Sequence, residues 1–290
     1  MSKNIFLAPH QRVQTVDKST FIEGGNMKTI QLSIEELIFS FYSEGLYEQG
    51  ISLKETYFPA LEDSELKLML EFASRSLLAK NMAIEVNKQY KLKEEFAPFI
   101  QILSSAEKTV KASKFNLDLE GEHSISFHFK EEEIYFHRLL HDHQVHSITK
   151  LNEEEILQFI SEFFDFKKLV KESEVLFKLK NDDFEEFLND VSQSVSVQES
   201  LISKWSNRLQ SHNTNEFIAD ISKRSGKMNS LLSLKYDSNN NPDLIDIHFV
   251  IPGKDGFWYI TRDQNLDLNI QKANESAIKN LFSKDRILSM

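Results

Sequence analysis

The chain has 290 residues, 34 lysines and arginines against 45 aspartates and glutamates, a net charge of −11, and no cysteine. The acidic balance excludes a general nucleic-acid binder, whose affinity rests on neutralising phosphates; the missing thiols exclude disulfides, cysteine-ligated zinc, iron–sulfur clusters and cysteine nucleophiles. No apolar run reaches the length of a secretory leader or a membrane span, so the expectation is a soluble cytoplasmic protein without membrane insertion.

Residues 1–26 carry no periodic pattern and read as an N-terminal extension. Met27 to Leu32 then reads as a short strand, and Ser33 follows with Glu36 three residues later, a capping-box spacing that starts a helix ending near Gly45. A stronger helix spans residues 63–80. Its Leu66, Met69, Leu70, Ala73, Leu77 and Leu78 recur at helical steps, which commits it to a core. A strand over 86–92 and a helix over 94–111 come next, with Pro98 tolerable in a first turn. From residue 113 to 149 the period changes to two, and polar turns near Gly121, Glu131 and Asp142 make this stretch an antiparallel meander.

The pattern then restarts. The segment from Ile148 to Ile156 repeats the strand, cap and helix of Ile30 to Leu37, with Asn152 in the place of Ser33; Lys272 to Ile278 echoes Lys150 to Ile156 again. Helices are expected over 152–170, 182–191, 198–210 and 215–225, then strands over 228–236, 244–251 and 257–261. The reading is an α+β protein of two quasi-repeated halves, 27–150 and 151–290, each made of helices followed by an antiparallel sheet.

Catalytic chemistry finds little support. Only 8 glycines are present, and none completes a phosphate-binding loop. Serines lack a nucleophile elbow, and acidic groups fall at turns and helix starts, where they complement helix dipoles. Six histidines between His123 and His146 form one cluster. His141 and His143 on one strand face, with His128 alongside, would suit a metal-dependent hydrolase, but no established ligand spacing is present, and solvated turn and strand histidines are the expectation. No catalytic residue, metal ligand or cofactor is assigned.

The apolar helices of the second half are more informative. Phe164 and Phe166 lie about 160° apart on a helix, too far for one stripe, so that helix is buried on several sides or awaits a partner. Phe184, Phe187, Leu188 and Val191 share one face of a short helix framed by polar loops, with residues 192–200 read as a loop. That stripe is the expected partner-binding site, as a groove for another helix.

The strand into Ser33-Ile34-Glu35-Glu36-Leu37-Ile38, the helix ending Arg75 to Asn81, and the closing Gly256-Phe257-Trp258-Tyr259-Ile260 through Leu268-Asn269-Ile270 to Ala277-Ile278-Lys279-Asn280-Leu281-Phe282 together resemble the EspG-like chaperones of type VII secretion. The resemblance implies two quasi-symmetric halves and a non-enzymatic cytoplasmic protein that binds a secretion substrate and delivers it to the export machinery. The chain is rich in Lys, Asn and Phe where mycobacterial members are rich in Ala, Arg and Gly. That composition shifts the implied client to a WXG-type protein or the targeting region of a helical-hairpin toxin. A toxin-neutralising immunity protein is the other non-catalytic reading, distinguished by binding the toxic domain instead.

Overall fold

The computed structural model describes residues 27–282 except 168, 194–198, 210 and 212; the extension over residues 1–26 lies outside them. Strand β1 (Thr29–Ser33) leads into α1 (Ile34–Ser43) through the expected box: the Glu36 carboxylate accepts the Ser33 N–H at 2.9 Å, and Ser33 Oγ accepts the Glu36 N–H at 3.3 Å. An unexpected helix, α2 (Tyr47–Tyr57), follows, its apolar pattern thinned by Gly50. That glycine is a packing requirement, since a Cβ there would meet the Tyr42 ring at 3.0 Å.

Helix α3 (Asp63–Ala79) precedes a hairpin, β2 (Ala83–Val86) and β3 (Gln89–Leu92), where a single strand was expected. Asn87 and Lys88 both take positive φ, the requirement of a two-residue hairpin turn. Helix α4 (Ala97–Ser105) is shorter than the expected 94–111, because the chain enters β4 (Lys108–Phe115). β5 (Glu122–Lys130), β6 (Glu133–Leu140) and β7 (Val145–Leu151) complete the meander, and α5 (Glu153–Phe164) follows.

Helix α5 does not reach Val170. Asp165 turns left-handed at φ 60°, and the Phe166 N–H bonds back to the Ser161 carbonyl at 2.8 Å. The turn carries Phe166 back over Phe164, with ring centroids 5.4 Å apart. The 160° conflict is therefore settled by ending the helix between the two rings.

The second half runs β8 (Val175–Leu179), α6 (Asn181–Gln193), α7 (Glu199–Leu209), α8 (Thr214–Ser222), β9 (Asn229–Tyr236), β10 (Pro242–Gly253), β11 (Gly256–Arg262), β12 (Leu268–Lys272) and α9 (Glu275–Phe282). All main strands form one ten-stranded sheet in the order β1-β7-β6-β5-β4-β9-β10-β11-β12-β8. In each half an outer strand, then helices, then four meandering strands follow in order, and the last strand pairs antiparallel with the first. The two halves join where β4 pairs with β9, Ala112 opposite Leu231.

This order moves the restart. Asn152 is the counterpart of Asn274, not of Ser33: each closes a meander and opens a helix, α5 or α9. Glu155 accepts the Asn152 N–H at 2.7 Å, and Asn274 Oδ1 accepts the Ala277 N–H at 2.8 Å. The repeat begins again at β8, so α5 belongs with the first half, beyond the boundary expected at residue 150.

Alternation along the strands divides the core. Val110, Phe127, Phe136, Leu231, Val250 and Tyr259 face α5 and α9 on one side, in a cluster that spans both halves. The other side carries two separate cores: Ile30, Leu32, Tyr135 and Ile148 beneath α1, α3 and α4, and Ile251, Trp258, Ile260 and Ile270 beneath α6, α7 and α8.

Candidate partner-binding surface

Helix α6 buries its stripe. Phe184, Phe187 and Val191 are buried in the second-half core, and Leu188 is half-buried against it. The Phe187 ring meets Trp205 edge-on at 5.2 Å and stacks with Phe217 at 5.9 Å; Phe184 lies 6.4 Å from Phe249. The polar face is tied down as well. Lys204 of α7 reaches Glu186 at 2.8 Å and Asp190 at 2.7 Å, while Arg208 holds Glu186 and Asp183. Trp205 Nε1 donates to Asp190 at 2.8 Å. The four expected site residues thus share a face, as periodicity required, but that face closes a core; part of the loop expected over 192–200 lies outside the described residues.

The histidines divide too. His141 and His143 are exposed in the β6–β7 turn with positive φ, so they do not share a strand face. Strand register instead places His128, His137 and His146 as diagonal neighbours on one face of β5, β6 and β7, His128 opposite Tyr135, His137 opposite Ser126 and Ile148, and His146 opposite Leu139. His137 Nε2 and His146 Nδ1 are 3.0 Å apart, and both ring nitrogens of His128 are engaged, by Thr109 at 3.0 Å and Ser126 at 2.9 Å. Burial pushes His128 and His146 down to about 4 and His137 well below its ordinary value, keeping all three neutral. Among the described residues no group of three or more His, Asp or Glu is placed to hold a metal ion.

An exposed apolar surface lies on the first-half helices. Only Ala73, Ser74 and Leu77 of α3 are buried, so its N-terminal two thirds stand away from the sheet. The helix is anchored through Glu36, whose carboxylate accepts from Ser76 Oγ at 2.6 Å and Lys80 Nζ at 2.7 Å while also capping α1. Leu68 and Phe72, one turn apart, are 51% and 57% exposed. Leu66 and Leu70 lie about 160° round the helix from them. Apolar side chains on both flanks give α3 two grooves.

The groove beside Leu68 and Phe72 has a volume of about 490 Å³, and its floor adds Leu61 and Met69. Its charged lining is acidic: Glu35, Glu36 and Glu65. The groove on the other flank, about 910 Å³, lies between α3, α1, α2 and the β2–β3 hairpin. Leu66 and Leu70 face Phe39, Tyr42, Tyr47 and Tyr90 there, with Lys67, Lys88 and Lys91 at its rim. Tyr47 is 58% and Tyr90 41% exposed. The Tyr42 hydroxyl titrates above its ordinary value, through burial and the Asp63 carboxylate. The exposed pair Leu68 and Phe72 was legible as a same-face, i and i+4 spacing; the stronger periodicity of Leu66, Met69, Ala73 and Leu77 concealed it.

Residues 29–282 match the family described as "Uncharacterised protein YfjC". The YfjC protein of Bacillus subtilis (strain 168) is 38% identical over 259 residues, covering 89% of this chain and 100% of that one. Among solved structures, the fold is similar to that of the type VII secretion system chaperone EspG5 of Mycobacterium tuberculosis, determined in complex with a PE25-PPE41 dimer. The TM-score is 0.58 over 87% of this chain and 94% of the other, at 9% identity, which is a likeness of fold. No described helix is long and apolar enough to cross a membrane. With nearly its whole described length matched, this chain belongs to the YfjC family.

Proposed function

We propose that this protein is a non-catalytic cytoplasmic carrier, a chaperone or adaptor that holds an apolar helical part of a type VII secretion substrate and brings it to the export machinery. The observation that carries the reading is the apolar surface left open along both flanks of α3, where Leu68, Phe72, Tyr47 and Tyr90 are 41–58% exposed on a fold similar to that of a type VII secretion chaperone determined in complex with a PE25-PPE41 dimer. Leaving one such side chain half in water forgoes about 1 kcal/mol of burial, which a partner's matching stripe recovers. The partner kind supported is helical; its identity as a WXG-type protein or a toxin's targeting region is part of the proposal.

The test is recovery of the full chain from its own cells, with partners identified by mass spectrometry. A helical secreted protein whose export falls when this gene is deleted supports the reading. Recovery of no secretion substrate or export component removes it. Tyr47→Asp with Tyr90→Asp should abolish capture while the thermal midpoint stays near the parent's.

A further inference from the structure

The two grooves of α3 have the same apolar character and opposite charge. Beside Leu68 and Phe72 the lining carries Glu35, Glu36 and Glu65, of which Glu36 is paired with Lys80, and Arg75 lies over the Phe72 ring at 5.8 Å. Beside Leu66 and Leu70 the lining carries Lys67, Arg75, Lys88 and Lys91 against Asp63 and Glu71. Arg75 and Glu71 are paired at 3.3 Å. Among the described residues Lys67, Lys88 and Lys91 have no ion-pair partner, and all three are exposed at the groove's rim. A local excess of free lysines stands out in a chain of net charge −11.

Between those lysines the groove is aromatic and already shaped. The Tyr42 ring rests on Gly50, and Tyr42 and Tyr47 contact each other with centroids 5.7 Å apart. The stretch of α3 with no buried residue, 63–72, is about 14 Å long at 1.5 Å per residue, room for about two and a half turns of a second helix.

We propose that the groove between α1, α2, α3 and the β2–β3 hairpin receives an acidic amphipathic helix of the partner, its apolar stripe on Leu66, Leu70, Tyr47 and Tyr90 and its flanking carboxylates on Lys67, Lys88 and Lys91. This names the partner chemistry of the carrier surface and rests on that reading. A helix of the opposite charge meets the lysine rim unfavourably, and an acidic helix is turned away from the other groove by Glu35 and Glu65. The arrangement therefore selects both the partner and the side of α3 it uses.

The experiment uses the full chain and two synthetic 18-residue helical peptides with the same leucine stripe, one flanked by glutamates and one by lysines. The glutamate peptide should bind at least tenfold more tightly, weaken as salt rises, and lose that advantage in Lys67→Glu/Lys88→Glu/Lys91→Glu. Should that variant melt early, Lys88→Glu/Lys91→Glu, confined to the exposed hairpin, must show the same loss of preference. Equal affinity for the two peptides, a preference for the lysine peptide, or tighter retention on phosphatidylglycerol vesicles than on the glutamate peptide overturns the proposal. Capture of the cellular substrate by the charge-reversed variant as well as by the parent also overturns it while leaving the carrier reading intact. If the parent captures no secretion substrate the carrier reading falls, and the peptide comparison still decides the groove's chemistry.

Discussion

Helices α3 and α6 make opposite use of their apolar residues. The stripe of α6 is narrow and meets a complete surround: Trp205 from α7, Phe217 from α8 and Trp258 from the sheet, all buried. The apolar residues of α3 are spread over both flanks, and no single core can cover flanks about 160° apart. Its C-terminal third packs through Ala73 and Leu77, and the remainder projects. Length misled here, since the longer helix was expected in the core and the shorter one at the surface. What decides burial is the width of the stripe relative to the neighbour facing it.

The largest effect that tests this contrast is Phe187→Asp. It places a carboxylate among Trp205 and Phe217 and should cost several kcal/mol, with the thermal midpoint falling sharply or the chain failing to fold. Phe187→Ala should cost about 3–5 kcal/mol by the cavity it leaves. A midpoint within a few degrees of the parent's for Phe187→Asp would show that the α6 stripe is surface after all.

Glu36→Ala should come next, at about 1–3 kcal/mol, because it removes a buried acceptor shared by the α1 cap, Ser76 and Lys80. Denaturant unfolding measures it. Hydrogen exchange on the same variant should show α3 losing protection while α6 keeps it, since only α3 depends on that anchor. Equal loss in both helices would break the comparison.

Acid should separate the two halves. His128, His137 and His146 lie in β5–β7, and each is held neutral with a folded value below the unfolded one. The unfolded chain therefore binds protons first as pH falls. The stability these groups contribute is complete above about 6.5 and is lost as pH drops toward about 4. Exchange at stepped pH should show β5–β7 opening before β10–β12. A His128→Gln/His137→Gln/His146→Gln variant should flatten the dependence.

The smallest effect is expected on the exposed side. Phe72→Ser should change stability by no more than about 0.5 kcal/mol, as a surface substitution does. The same change lies outside the lysine-rimmed groove and should leave partner capture unchanged, and a stability loss of several kcal/mol would assign Phe72 to the core of α3.

Much of the local structure was legible in the residues. The Ser33–Glu36 box, the meander and the matching Asn152 and Asn274 junctions follow from short-range chemistry: a cap needs an acceptor and a carboxylate three residues apart, and a half-buried strand alternates. Elements with weak periodicity escaped notice. Helix α2 has few apolar residues and a glycine, and β8 is a five-residue outer strand whose repeat role is defined only by its pairing with β12. The early end of α5 was also hidden, because it depends on Asp165 adopting a left-handed conformation that lets Phe166 fold onto Phe164.

By itself, the sequence determined the α+β class, the internal repetition, the capping positions and the absence of thiol chemistry, since each depends on composition or on contacts within a few residues. The tertiary structure decided which stripes are covered. The histidine cluster exists because register brings three strands side by side, the two halves share a sheet because β4 pairs with β9, and α3 is open because its neighbours bury only Ala73, Ser74 and Leu77 of its residues. Burial is a property of what lies across the gap, and a helix's own residues specify only the face it offers.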